Sequence, residues 1–84
     1  MSHSIEFSQE AASDIDLLSR ADKRLLVRII NKIEFLQENP KAGKPLVGNH
    51  KGEFSLRVGD HRIVYELAAH TITILTVKHR KRVY

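Results

Sequence analysis

The sequence predicts an α+β domain. Two N-terminal helices pack on one face of a mainly antiparallel four-stranded sheet, in the order β-α-α-β-β-β. Three observations carry this prediction. In Leu56-Arg57-Val58-Gly59-Asp60-His61-Arg62-Ile63-Val64-Tyr65, alternating apolar residues flank a two-residue turn that begins with Gly, the pattern of a β-hairpin. Leu25, Ile29, Ile33 and Leu36 form one helical stripe, widened by Leu26 and Ile30. Thr71-Ile72-Thr73-Ile74-Leu75-Thr76-Val77 is β-branched and apolar on both faces, which suits an inner strand. With 84 residues the chain has room for a single domain, residues 1–84.

The remaining elements follow in order. Ser4-Ile5-Glu6-Phe7 alternates as a short first strand. Ser8 is a good N-cap, Glu10 complements the dipole in the first turn, and Ala11, Ile15 and Leu18 share a helical face. That register breaks between Leu18 and Asp22, where Asp22 caps the second helix. Arg24, Arg28 and Lys32 lie on the far side from the apolar stripe. Such a row is either a solvated face, the commoner case, or a binding surface. Asn39-Pro40 ends the helix, because the residue before Pro is pushed out of the α region. Residues 41–52 hold Pro45 and three of the four glycines and read as a loop. Glu53–Val58 and His61–Leu67 are the hairpin strands, and Ala68-Ala69-His70 is a turn. Lys78 to Tyr84 leaves the last strand as a basic tail ending in an aromatic.

Composition narrows the function classes. Apolar residues make up 42% of the chain and charged residues 29%, which fits a folded domain rather than a disordered one. There is no cysteine, so neither disulfides nor thiolate metal sites contribute. The N-terminus lacks the basic-then-apolar pattern of a signal peptide, and no apolar run reaches membrane-spanning length; a cytoplasmic location without membrane contact is expected. Residues 1–40 carry five Lys/Arg against seven Asp/Glu, and residues 41–84 carry nine against three. The basic excess thus sits in the half that holds the hairpin, which favours a polyanion partner, most often nucleic acid, and also fits an acidic protein partner or a merely solubilising basic surface.

With Gly59-Asp60 as the loop, Val58 pairs with His61, Arg57 with Arg62, Leu56 with Ile63 and Phe54 with Tyr65. Phe54, Leu56, Ile63 and Tyr65 then share one face, and Arg57 and Arg62 lie side by side on the other. Like charges directly across a sheet repel, so the pair points either to an anionic partner or to local acids, Glu53 or Glu66. Arg presents a planar fork that matches a phosphate. Together with Lys78, His79, Arg80, Lys81, Arg82 and Tyr84, these groups can support RNA cleavage without a metal. In that reaction the ribose 2′-hydroxyl attacks the adjacent phosphate, which calls for a base, positive charge on the phosphorane and an acid for the leaving oxygen. Surrounding cations favour the phenolate of Tyr84; the alternative is a terminal aromatic that is docked on the core or disordered. His79 is a candidate proton donor or phosphate ligand, and the other four histidines are expected to be exposed. None of the five has metal-ligand spacing, and neither a phosphate loop nor a nucleophile elbow is present, so no metal or cofactor is expected.

At these residues the chain resembles the RelE/ParE superfamily of toxins. The matching segments are Ile5-Glu6-Phe7, Asn39-Pro40, Lys44-Pro45-Leu46, Gly52-Glu53-Phe54, Leu56 through Glu66, and Val77-Lys78-His79-Arg80 through Val83-Tyr84. The resemblance spans essentially the whole chain. It implies a microbial-ribonuclease-like fold and, for the RelE branch, metal-independent endoribonuclease cleavage of mRNA on the ribosome. It also implies an acidic, operon-encoded antitoxin, with operator DNA contacted only through the antitoxin complex. Carried over by motif, Arg62, Arg80 and Tyr84 are the expected catalytic residues. Arg57, Lys51, Lys78, His79, Lys81 and Arg82 are the expected RNA- and phosphate-binding residues. Glu53 and Ser55 stand where the best-known ribosome-dependent member has lysines; Lys51, Lys44 or Lys81 are candidates to supply that charge. The alternatives are a ParE-like inhibitor of DNA gyrase without nuclease activity, or a non-catalytic nucleic-acid-binding module.

Overall fold

The computed structural model describes residues 3–48 and 52–82, the Arg82 side chain excepted. Strand β1 (Ser4–Phe7) leads into helices α1 (Gln9–Ala21) and α2 (Lys23–Leu36). Strands β2 (Lys44–Pro45), β3 (Glu53–Val58), β4 (His61–Ala68) and β5 (Thr71–His79) follow, and Arg80–Arg82 form a single 3-10 turn. The sheet runs β1-β5-β4-β3-β2, antiparallel throughout except for the parallel β1–β5 pair.

The helix starts lie at the expected caps. Ser8 accepts from Ala11 N–H at 3.0 Å, and its hydroxyl donates to the Leu75 carbonyl at 2.7 Å, so one side chain both caps α1 and ties it to β5. Asp22 joins the helices: its N–H donates to Leu18 O at 2.9 Å and its carboxylate accepts from Leu25 N–H at 3.1 Å. Helix α2 stops at Leu36, earlier than Asn39-Pro40. A tighter turn intervenes, in which Gln37 N–H donates to Glu34 O, and the Asn39 side chain then donates to Phe35 O.

Ile29, Ile33 and Leu36 of α2 and Ala11 and Leu18 of α1 meet Val58, Ile63, Tyr65, Ile72, Ile74 and Val77 in one core. The hairpin register is as expected, including Arg57 opposite Arg62. Gly59 alone of the two turn residues has positive φ, 60°, which suits a turn with Gly first.

Three details differ from the sequence reading. The sheet has five strands, not four, because Lys44 and Pro45 pair with Ser55 and Phe54. A two-residue strand within a Pro/Gly-rich segment carries no period to read, and Pro confines it to an edge. Strand β5 continues past Val77, since Lys78 and His79 still pair with Arg62 and His61. Its alternation is interrupted: Val64 pairs with Thr76 but Tyr65 with Ile74, leaving Leu75 as an extra residue. This bulge shifts the alternation, so that both Ile74 and Val77 point into the core.

Candidate nucleic-acid interface

Alternation places Ser55, Arg57, Arg62, Val64, Thr76 and Lys78 on the sheet face away from the core. Lys44, exposed on β2, pairs with Ser55 and so shares that face. Arg62 is half-buried, and its guanidinium donates to the hydroxyl of buried Ser55 at 3.1 Å. It forms no ion pair among the described residues. Ser55 therefore acts as a seat for Arg62 rather than as a replacement for a missing charge.

Arg57 and Arg62 are backbone partners, but their guanidiniums take different hydrogen-bond partners. Arg57 Nε donates to the Gly59 carbonyl at 2.8 Å, and Arg57 is among the residues around a groove beside α2. Neither arginine is paired with Glu53 or Glu66 in a described ion pair. Arg80 N–H donates to Asp60 O at 2.7 Å, so the 3-10 turn is fastened to the hairpin tip. Arg57, Arg62 and Arg80 are thus gathered at one end of the sheet.

Lys78 is committed elsewhere. Helix α1 lies along the β5 edge beyond β1, and there Asp14, only 7% exposed, accepts from Val77 N–H at 2.9 Å and from Lys78 Nζ at 2.8 Å. Glu10 adds a second ion pair to Lys78 at 3.1 Å. The Asp14 hydrogen bond, with a smaller contribution from Glu10, holds the Lys78 ammonium above the usual lysine range despite partial burial.

His79 accepts from Lys81 N–H through Nδ1 at 3.2 Å. A neutral His79 therefore carries its proton on Nε2. Its ring meets His61 edge-on, with centroids 5.5 Å apart, in a 650 Å³ cleft also lined by Asp22, Arg24, Arg28 and Asp60. His61, like His3, departs from the expected exposure: each is half-buried, and its Nδ1 is buried without a partner among the described residues. Burial, reinforced by His79, lowers the His61 pKa, against the opposing pull of Asp22, Asp60 and Asp14. The alternation that points Ile63 inward also points His61 inward, a signal the sequence already contained.

Lys81 and Arg80 are exposed. Tyr84 and Lys51 lie outside the described residues, as does the Arg82 side chain. Among the described residues no group of three or more His, Cys, Asp or Glu is placed to hold a metal, and no helix is long and apolar enough to cross a membrane. Chemically, this end of the sheet offers guanidiniums for a phosphate and an imidazole N–H as a proton donor.

Residues 5–84 match the family profile described as the ParE toxin of the type II toxin–antitoxin system, parDE. No curated protein matches the chain. Among solved structures, the toxin–antitoxin complex RelBE2 from Mycobacterium tuberculosis is similar, with 30% identity and a TM-score of 0.82, over 95% of this chain and 100% of that one. The YoeB dimer from Staphylococcus aureus aligns at 26% identity and a TM-score of 0.79, over 94% and 98% of the two chains. The YoeB/ParE toxin from Agrobacterium tumefaciens, at 23% identity, shares the fold with a TM-score of 0.83, over 90% and 96%.

Proposed function

The chain belongs to the ParE toxin family of type II toxin–antitoxin systems, within the RelE/ParE superfamily, and we propose that it acts there as a metal-independent endoribonuclease on ribosome-bound mRNA. The observation that carries this reading is Arg62: a half-buried guanidinium seated on Ser55, free of any described counter-charge, on the sheet face away from the core and at the same end as Arg80. A cation held in that way is preorganised for the charge of a phosphorane.

In the proposed reaction the 2′-hydroxyl attacks the neighbouring phosphate. Arg62 and Arg80 take the developing charge, Tyr84 removes the hydroxyl proton, and His79 Nε2–H supplies a proton to the leaving 5′-oxygen. Lys44 is the lysine that the register places beside Ser55; Lys51, Lys81 and Arg82 add phosphate contacts. The partner is an acidic antitoxin that covers Arg57, Arg62 and Arg80. Similar chains are solved within toxin–antitoxin complexes, RelBE2 among them, which supports such a partner.

The test is cleavage of mRNA on programmed ribosomes. Wild-type protein is expected to leave a 2′,3′-cyclic or 3′-phosphate and a 5′-hydroxyl, whereas a 5′-phosphate would indicate metal-assisted hydrolysis. Arg62→Ala is expected to be slower by roughly 10²-fold or more with its circular dichroism unchanged; a wild-type rate would overturn the assignment. Tyr84→Phe is expected to be nearly as slow as Tyr84→Ala, and an active Phe variant removes Tyr84 from the chemistry. The family profile favours a second reading, inhibition of DNA gyrase. Gyrase-dependent DNA breaks without RNA cleavage would establish it.

A further inference from the structure

We propose that the groove between α2 and the tip of the β3–β4 hairpin is a second nucleic-acid site, which holds the phosphodiester backbone of single-stranded RNA on Arg28, Lys32 and Arg57. It is separate from the Arg62–Ser55 seat and requires binding only, not cleavage.

The groove has a volume of about 480 Å³ and is lined by these three cations with Asn31, Phe35 and Gly59 among its neighbours. No carboxylate lines it among the described residues, and none of the three cations forms an ion pair there. Two guanidiniums converge on one residue. Arg57 Nε is bonded to the Gly59 carbonyl, and the terminal nitrogens of Arg28 lie 3.7 and 3.8 Å from where a side chain on Gly59 would begin. Like charges gathered in this way repel unless an anion joins them. The Arg57 hydrogen bond also fixes its guanidinium beforehand, so less freedom is lost when a phosphate arrives.

The remaining groups match a nucleic-acid strand. Lys32 follows Arg28 by one helical turn, about 6 Å along the axis. Its ammonium sits 4.9 Å from the centroid of the Phe35 ring, and Phe35 is 45% exposed. Cations beside an exposed aromatic ring are how single-stranded nucleic acids are held without sequence preference. The Asn31 amide adds a donor and an acceptor of the kind a base edge uses. An acidic protein segment would satisfy the charges alone.

The experiment measures anisotropy of a labelled oligouridylate against salt concentration for the full chain and for Arg28→Gln/Lys32→Gln. Each phosphate contact contributes about 0.7 to the salt slope of a single strand, so the double variant is expected to lower the slope by about 1.4 and the affinity at 0.1 M salt by roughly tenfold or more. The same loss is expected when both proteins also carry Arg62→Ala, because the two sites are separate. An unchanged slope overturns the proposal. So does selective loss of binding to polyglutamate, which assigns the groove to an acidic protein, or a preference for duplex DNA over the oligouridylate. If the double variant loses its circular dichroism, Arg57→Gln decides the matter through a slope change of about 0.7. Cleavage is not read, so failure of the nuclease reading and failure of this one remain distinguishable.

Discussion

The Tyr65 hydroxyl makes two hydrogen bonds in the core, accepting from Gly43 N–H at 2.9 Å and donating to the Pro40 carbonyl at 2.8 Å. It thereby pins the chain after α2 to the middle of the sheet. Burial raises the Tyr65 pKa, with the Gly43 hydrogen bond acting in the opposite direction. Tyr65→Phe keeps the ring, which is stacked on Phe54 with centroids 5.3 Å apart, and deletes both bonds. It is expected to cost about 1–3 kcal/mol in urea unfolding, because Gly43 N–H is left buried without an acceptor. Gly43→Ala is expected to be at least as damaging, since its Cβ would stand 2.7 Å from the same hydroxyl and 3.0 Å from the Ser55 carbonyl. The inward direction of Tyr65 was legible in the hairpin alternation. Its two partners were not, because they lie 25 and 22 residues away in a segment without periodicity.

Between elements, the contact that most shapes the site is α1 against the edge of β5. Strand β1 covers that edge only from Thr71 to Ile74. Ser8 and Asp14 then take over, accepting or donating where a further strand would have paired. Asp14→Ala is expected to destabilise the fold by about 2–3 kcal/mol, since it orphans Val77 N–H and removes the inner partner of Lys78. Asp14→Asn retains an acceptor for Val77 and is expected to lose less. Urea titration gives the difference, and amide exchange at Val77 locates it: an Ala variant with wild-type protection at that amide would show that the edge is covered in some other way. The sequence displayed Asp14 as one of several acids on an amphipathic helix. Only the packing of α1 along β5 distinguishes it from Asp16, whose partner is the neighbouring Arg20 on the exposed face.

For the molecule as a whole, three groups among the described residues have shifted pKa values that bear on the pH range of stability. His61 has a lowered pKa, so between that value and the ordinary 6.5 the unfolded chain binds more protons than the folded one. Stability is therefore complete above about pH 6.5 and falls as the pH drops toward the folded value. Tyr65 and Lys78 have raised values, so their contributions are present below about pH 10 and are lost as the pH rises through their folded values. The melting temperature against pH is expected to show both limbs. His61→Gln should flatten the acid limb and leave the alkaline one, and an unaltered acid limb would show that His61 does not control it.

The sequence by itself determined the helices, their caps, the hairpin and its register. These depend on periodicity and local hydrogen bonding, which neighbouring residues carry between them. It also carried the likeness to the toxin superfamily, over essentially the whole chain. Tertiary structure decided what each charge does. Arg62 rests on Ser55, Lys78 is neutralised by Asp14 and Glu10, and Arg57 is bonded to the Gly59 carbonyl at the hairpin tip. All are similar basic side chains in the sequence. The partners of Lys78 come from an element brought to it only when α1 packs on the sheet, and electrostatic interactions act through space rather than along the chain.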